Sequence, residues 1–309
     1  MGKQWTSDFT MSESLVQSLL EAQFPELAPV TLEALATGWD NSVFLVNGAY
    51  VFRFPRRKVA IPLLTMENRL LPELSKYLPI PIPNPCFVGH STNDYPSSFA
   101  GYVKLEGTAP HMQNLTDEKR MRSAVSWALF LRSLHRISIH SALQWGITPS
   151  DDIGRMDVEK RVPMFVANVE EVSRKGLIDN PDSLLRVVET LSPANHVRQQ
   201  QQPVVVHGDM NFRNFLVNDD GVLTGVIDWG DAHIGHPAVD LSVVYSFLPE
   251  SGRREFFKVY GEVHPQTESL AKFRSLYTNI VILLYAHDIG DRRQFLEAKR
   301  AIALANDSK

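Results

Sequence analysis

The spacing of three polar residues, Asp209, Asn214 and Asp228, constrains this chain more than any other feature. Asp209 and Asn214 lie five residues apart in a polar segment between two runs of apolar and β-branched residues, which predicts a loop between strands. Asp228 follows Asn214 by fourteen residues, ends a third apolar run and precedes Trp229 and Gly230. Turns favour Asp and Asn on their own. A second acid at the end of a neighbouring strand makes the combination specific, and we interpret it as a catalytic site.

The sequence around these residues resembles the catalytic core of protein kinases. H-G-D-x-x-x-x-N followed by D-W-G is similar to the kinase pattern H-R-D-x-x-x-x-N and D-F-G, with Gly208 in place of Arg and Trp229 in place of Phe. The chain is more closely similar to the aminoglycoside and macrolide phosphotransferases, bacterial antibiotic kinases with a protein-kinase-like fold. That similarity also covers residues 38–47, 51–56 and 236–241, so it spans most of the chain.

The resemblance implies an α+β, protein-kinase-like two-lobe fold, with a small β-rich N-lobe and a larger, mainly helical C-lobe. We expect residues 1–101 to form the N-lobe, 102–107 the hinge and 108–309 the C-lobe. Apolar residues at helical spacing predict helices within both parts. The predicted helices cover residues 12–24, 63–77, 116–135, 157–175, 181–191, 250–260, 267–288 and 292–305, and another begins at Pro237.

Phosphoryl transfer explains why the central residue types are needed. The reaction requires positioning, charge neutralisation and a group that accepts the proton of the incoming hydroxyl. The resemblance assigns the proton-accepting role to Asp209 and the binding of Mg²⁺ to Asn214 and Asp228, whose oxygens suit a hard cation. We predict that His207 packs under the loop and bonds to backbone. By the same resemblance Asp240 braces the loop backbone.

Phosphate contacts are expected in the N-lobe. The turn at residues 37–42 lies where kinases place a glycine-rich loop, but it holds one glycine, so Asn41 and Ser42 either donate to the phosphates or belong to a plain hairpin turn. Arg53 stands where the fold normally presents a lysine, and arginine can grip phosphate bidentately. Arg56 or Arg57 is the alternative phosphate partner.

A helix residue and two aromatic residues complete the expected nucleotide site. Glu67 should pair with the strand cation, as the corresponding kinase glutamate does, and we prefer it to Glu73 because it precedes Pro72, which should kink or restart the helix. Phe99 and Tyr102 lie near the expected hinge and would narrow the space behind the purine base of the nucleotide. In the antibiotic kinases such bulk accompanies use of GTP, so we expect GTP or ATP as donor with a leaning towards GTP.

Composition agrees with a globular enzyme. The chain is 44% hydrophobic and 21% charged, which are ordinary values, and the net charge of −4 gives no basic field of the kind that nucleic-acid binders use. The lone Cys86 excludes an intrachain disulfide framework. No secretory signal is evident, and the longest apolar tract is too short to span a bilayer. We expect a cytoplasmic monomer without nucleic-acid or membrane partners.

The acceptor is the least determined part of the prediction. Polycationic aminoglycosides need a cleft dense in carboxylates, whereas residues 231–309 contain about as many Lys and Arg as Asp and Glu. A macrolide needs apolar walls and few acids, so we expect a macrolide 2′-phosphotransferase, with an aminoglycoside enzyme or a metabolic small-molecule kinase as alternatives. A non-catalytic nucleotide-binding scaffold would be expected to lack the proton acceptor or a metal ligand, but Asp209, Asn214 and Asp228 are all present.

Overall fold

In a computed structural model, which describes residues 8–37, 40–191 and 202–306, the chain divides into two units. The first comprises the residues up to Lys76 together with Pro81–Leu105, and the second comprises Tyr77–Ile80 together with the residues from Glu106 onward. An antiparallel sheet characterises the first unit, and helices dominate the second. The predicted combination of a small β-rich part and a larger helical part is confirmed.

The first unit is built on a five-stranded antiparallel sheet with the strand order β1-β2-β3-β5-β4. A turn with positive φ at Asn47 and Gly48 joins β2 to β3, as the Asn-Gly pair predicts. Ser12 caps the first helix by accepting a hydrogen bond from the Leu15 amide. The strands are β1 (Leu32–Thr37), β2 (Asn41–Val46), β3 (Tyr50–Pro55), β4 (Pro85–Gly89) and β5 (Phe99–Val103), and the helices are α1 (Glu13–Gln23) and α2 (Ala60–Leu74).

Alternation along β3 separates an aromatic face of this sheet from the face that carries Arg53. Phe52 and Phe54 are fully buried in a core that also contains Phe99 of β5 and residues of α1. Arg53 lies between the two phenylalanines, so its side chain points to the opposite face. The face opposite the aromatic core is therefore where β3 presents a cation.

The second unit combines nine described helices with two small antiparallel sheets. Strand β6 (Val204–Val206) pairs with β9 (His233–Gly235), and β7 (Phe215–Val217) pairs with β8 (Leu223–Val226). The helices are α3 (Asp117–Arg122), α4 (Ala124–His135), α5 (Ile139–Gln144), α6 (Val158–Arg174), α7 (Asp182–Glu189), α8 (Ala238–Phe247), α9 (Glu250–Tyr260), α10 (Pro265–Ile289) and α11 (Arg292–Asn306).

Two of the helices in the structure differ in detail from those predicted. The helix predicted for residues 116–135 is divided at Ser123, whose hydroxyl donates to the carbonyl of Gly221. Helix α2 continues through Pro72 to Leu74 instead of restarting there. None of the helices within the described residues is long and apolar enough to cross a membrane.

Candidate active site

The loop after β6 is held by a buried carboxylate from α8. Asp240 accepts hydrogen bonds from the backbone amides of His207 at 2.8 Å and Gly208 at 3.0 Å. Burial raises the pKa of Asp240, but the hydrogen bond and charge of His135, the charge of His207 and the hydrogen bond from Gly208 together outweigh this and bring the pKa below its ordinary value. The prediction that Asp240 braces the loop backbone is confirmed.

Glycine is required at the second position of this loop. Gly208 has φ +89°, and a Cβ on it would lie 2.3 Å from the carbonyl oxygen of Asp231. Both the backbone conformation and the lack of space exclude a side chain there. Gly208 stands where protein kinases have Arg, and it is needed here because the backbone of Asp231 passes close to it.

His207 has the structural role that the sequence predicts. Its side chain is fully buried, its Nε2 lies 2.9 Å from the carbonyl oxygen of Ile227, and its ring lies 4.8 Å from that of Trp229. Its Nδ1 accepts a hydrogen bond from the Asp209 amide at 3.3 Å. The histidine thus joins the loop to the segment that carries Asp228.

The structure brings Asp209 and Asn214 into direct contact. The amide Nδ2 of Asn214 donates to Oδ2 of Asp209 at 3.0 Å and to its carbonyl oxygen at 2.8 Å, and Asn211 donates to the same Oδ2 at 3.1 Å. Since Nδ2 is engaged in this way, Oδ1 of Asn214 is the atom available to a cation. The other oxygen of Asp209, Oδ1, points towards Arg274.

Asp228 lies beside this pair at the end of a strand. The amide of Ile227 donates to the carbonyl oxygen of Asn214 at 2.9 Å, and Asp228 adopts a left-handed backbone conformation with φ +65°. No group of three or more His, Cys, Asp or Glu residues forms a metal cage in the described parts of the chain. One carboxylate and one amide oxygen instead fit Mg²⁺, which is usually held by one or two protein ligands together with phosphates and water.

Charges around Asp209 act in opposite directions. Burial raises the pKa of the Asp209 carboxyl, the charge of Arg274 lowers it, and the charges of Asp231 and Asp228 raise it, with a net rise above the ordinary value. A carboxyl with a raised pKa is a stronger base than a solvated one once it is ionised. The surroundings therefore favour proton acceptance at Asp209.

Three arginines near Asp209 form a cluster that the sequence analysis missed. Arg274 of α10 is only 8% exposed, and its Nη2 lies 3.7 Å from Oδ1 of Asp209. Arg161 of α6 donates to the hydroxyl of Tyr277 at 3.1 Å, and the Arg274 guanidinium lies 5.8 Å from the same ring. Arg155 pairs with Asp231 and Asp151. We refer to Arg155, Arg161 and Arg274 as the arginine cluster.

In the first unit, the strand cation and the helix glutamate form an ion pair. Nη1 of Arg53 lies 2.7 Å from Oε2 of Glu67, which is almost fully buried. Glu73, the competing glutamate, pairs with Lys76 at the surface. Arg57, one of the alternative phosphate partners, pairs with Asp40 at 2.9 Å.

The remaining expected nucleotide contacts lie on different faces of the sheet. Tyr102 is opposite Val51 in the β3–β5 register and so shares the face of Arg53. The Phe99 ring stacks on Phe54 at 4.6 Å in the aromatic core, so it does not narrow a space on the face of Arg53.

The predicted phosphate turn is described in part. Asn41 and Ser42 begin β2, and Oδ1 of Asn41 is buried without a hydrogen-bond partner among the described residues. That oxygen is an acceptor, so it would require a donor rather than a phosphate. Gly38 and Trp39 of the same turn lie outside the described residues.

Comparisons with known proteins give matches that extend over most of the chain. A family model described as "Phosphotransferase enzyme family" matches residues 31–273. The chain is 24% identical to wild-type aminoglycoside 2′-phosphotransferase-IIIa in its GDP complex, with a TM-score of 0.68 over 96% of this chain and 99% of that one. It is 19% identical to a macrolide 2′-phosphotransferase from Brachybacterium faecium, with a TM-score of 0.60 over 96% and 98% of the two chains.

A third solved structure holds both an antibiotic and a nucleotide. It is the ternary complex of APH(2")-IIa with streptomycin and ATP, at 21% identity and a TM-score of 0.58 over 96% of this chain and 97% of that one. At these identities the likeness shows the fold. The expected fold of the antibiotic kinases is therefore confirmed.

Proposed function

The chain belongs to the phosphotransferase enzyme family, and we propose that it transfers the terminal phosphoryl group of a nucleoside triphosphate to a hydroxyl of a macrolide antibiotic. It is a phosphotransferase that acts on an alcohol group. The macrolide, the donor and the individual residue roles are the parts that we propose.

Asp209 is the proposed base. Its Oδ2 is fixed by two amide groups, so its Oδ1 is the oxygen that can receive the proton of the acceptor hydroxyl. Oδ1 of Asn214 and the carboxylate of Asp228 would hold Mg²⁺, which when bound neutralises charge on the phosphates. Because Asp240 fixes the loop backbone, the base is preorganised before substrate binds.

Nucleotide binding is assigned to the face of the first unit's sheet that carries Arg53. Glu67 orients Arg53 through their ion pair, and Arg53 would then contact the phosphates bidentately. Asn41 and Ser42 at the start of β2 remain proposed contacts to the triphosphate. Tyr102 lies on the same face as Arg53, and its bulk supports GTP ahead of ATP as donor.

The arginine cluster is the observation that carries the choice of acceptor. Arg161 and Arg274 have no ion pair shorter than 3.7 Å in the described part of the chain, so their charge disfavours a polycationic aminoglycoside. The acids nearby, Asp151 and Asp231, are already paired with Arg155. Exposed apolar side chains, Ile153 and Met164, lie beside Arg161. This mixture suits a large, mainly apolar acceptor with hydroxyl groups.

Turnover of an antibiotic panel tests the proposal. The purified protein, Mg²⁺ and either GTP or ATP are incubated with erythromycin or kanamycin, and nucleoside diphosphate release is measured together with the mass of the acceptor. We expect phosphorylated erythromycin, with a higher kcat/KM for GTP than for ATP. Phosphorylation of kanamycin alone would refute the proposal that the acceptor is a macrolide. A higher kcat/KM for ATP would refute the proposed preference for GTP.

A further inference from the structure

A chain of three polar side chains connects the end of α9 to the loop that carries the proposed base. The hydroxyl of Tyr260, the last residue of α9, lies 2.7 Å from Nδ1 of His135 on α4. Nε2 of the same ring lies 3.3 Å from Oδ2 of Asp240, the oxygen that also accepts the hydrogen bond from the His207 amide. The side chains of His135 and Asp240 are 5% and 0% exposed, so these contacts are shielded from water.

The chemistry of the three groups determines which of them donates in each contact. An ionised carboxylate can only accept, so Nε2 of His135 carries the proton that it donates to Asp240. In the neutral ring Nδ1 is then an acceptor, and the hydroxyl of Tyr260 is its donor. Burial and the charge of Asp240 raise the pKa of Tyr260, so this hydroxyl keeps its proton. Each contact therefore has a defined donor and acceptor.

Tyr260 is itself held in place by contacts on α9 and α4. Its ring stacks on that of Phe256, one turn earlier on α9, at 5.2 Å, and Phe256 is fully buried. Nη1 of Arg132 donates to the carbonyl oxygen of Val259 at 2.8 Å, which ties the end of α9 to α4. The rings of Tyr260 and His135 are perpendicular, with an interplanar angle of 90°. The hydroxyl is therefore a fixed point that orients the histidine ring.

The two hydrogen bonds of His135 differ in length. The bond to Tyr260 is the shorter, at 2.7 Å, and the bond to Asp240, at 3.3 Å, lies at the long end of the normal range. Without the tyrosine hydroxyl the imidazole would be free to turn, and the longer bond would weaken first. The buried carboxylate of Asp240 would then lose a donor. The backbone immediately before the proposed base would lose part of its support.

We propose that Tyr260 is a positioning residue for phosphoryl transfer, because it orients His135 and thereby holds the Asp240 carboxylate against the loop. The proposal rests on the proposed role of Asp209 as the base. Tyr260 acts through other residues and is assigned no contact with donor or acceptor, so its removal should lower the rate of the chemical step and leave substrate affinity unchanged. A tyrosine with a purely structural role would affect stability alone.

Two measurements on the full-length Tyr260→Phe protein test the proposal. With an acceptor that the wild type phosphorylates, kcat should fall about tenfold while KM for the nucleotide stays near its wild-type value. Hydrogen exchange resolved by NMR should show the amides of His207 and Gly208, which donate to Asp240, exchanging about threefold faster or more. The exchange measurement needs no acceptor, so it tests this proposal separately from the proposed function.

Tyr95→Phe is the matched control. The hydroxyl of Tyr95 is also buried and donates to the carbonyl oxygen of Pro55 at 2.7 Å, but this residue belongs to the first unit. Its loss should lower stability in urea unfolding without changing kcat or the exchange of the His207 and Gly208 amides.

A double variant tests whether the effect passes through the histidine. In a His135→Gln background, Tyr260→Phe should cause no further loss of kcat. The proposal is overturned if the two losses add, if the His207 and Gly208 amides of the Tyr260→Phe protein exchange at the wild-type rate, or if its kcat falls no further than that of Tyr95→Phe.

Discussion

Oδ1 of Asp209 lies 3.7 Å from Nη2 of Arg274, a side chain that is 8% exposed. This separation is longer than a hydrogen bond, and among the described residues the guanidinium makes no shorter contact with an acid. The cation therefore acts on the proposed base mainly through its charge. It counters the effect of burial, which would otherwise leave the carboxyl neutral over a wider pH range.

We expect Arg274→Met to move the acidic limb of the kcat/KM profile to higher pH. Arg274 lowers the pKa of Asp209 against the larger effect of burial, so its removal raises that pKa and the base ionises only at higher pH. Arg274→Lys retains the charge and should leave the limb near its wild-type position. A limb that stays in place in the Met variant would show that this charge does not act on the base.

Asp209→Asn should reduce the transfer rate by about 10²–10⁴-fold, because the amide cannot accept the hydroxyl proton. Nucleotide affinity should stay close to that of the wild type, since Asp209 is assigned no contact with the donor. Rapid-quench kinetics and nucleotide titration measure the two quantities separately. The control is Asp219→Asn, an exposed residue after β7, and a normal rate in the Asp209 variant would remove this residue from its role.

Asp228→Asn should weaken nucleotide binding in the presence of Mg²⁺ and leave metal-free binding nearly unchanged. Asn tolerates the left-handed conformation at φ +65°, so the substitution tests the carboxylate charge rather than the turn. Loss of one of two ligands should reduce the metal-dependent affinity by about tenfold or more. Titration with and without chelator measures the difference, and equal losses in both conditions would argue against a metal ligand.

Asp240→Asn should destabilise the fold by about 3 kcal/mol at neutral pH, because an amide in place of this carboxylate presents a donor to the backbone amides of His207 or Gly208. The pKa of Asp240 is depressed, so its contribution is present above the unfolded pKa of about 3.9 and is lost as pH falls through the folded value. Urea unfolding at several pH values checks this. A difference between wild type and variant that stays constant below pH 4 would contradict the assignment.

Two glycines with positive φ allow a matched comparison. Gly208→Ala should cost well above 1 kcal/mol, since it adds a clash with the carbonyl oxygen of Asp231 to the backbone cost. Gly176→Ala has φ +65° and nothing within 4 Å of the added Cβ, so it should cost only about 1 kcal/mol. Thermal unfolding measures both, and equal losses would show that the space around Gly208 relaxes.

The sequence predicted the parts of the structure that local pattern determines. The Asn-Gly turn and most helices follow from turn chemistry and periodicity, and the role of Asp240 follows from the resemblance to the antibiotic kinases. The division of the predicted 116–135 helix does not, because it accompanies a bond from Ser123 to Gly221, which is remote in the chain.

The arginine cluster shows a second limit of sequence reasoning. Arg155 and Arg161 lie six residues apart, whereas Arg274 comes from a remote segment, and the three have no shared motif. Only tertiary packing brings them near Asp209. Phe99 illustrates the converse, since its position near the hinge suggested a ligand contact, whereas strand alternation places its ring in the core.

The hydrogen bonds from the loop backbone to the buried side chain of Asp240 have an evolutionary consequence. The reactive centre is anchored to α8, whereas two members of the arginine cluster are carried by α6 and α10. Substitutions on those two helices can change which acceptor is preferred while Asp240 keeps the loop backbone around the proposed base in place. A scaffold with this division of labour is suited to acquiring new acceptor specificities by a few substitutions.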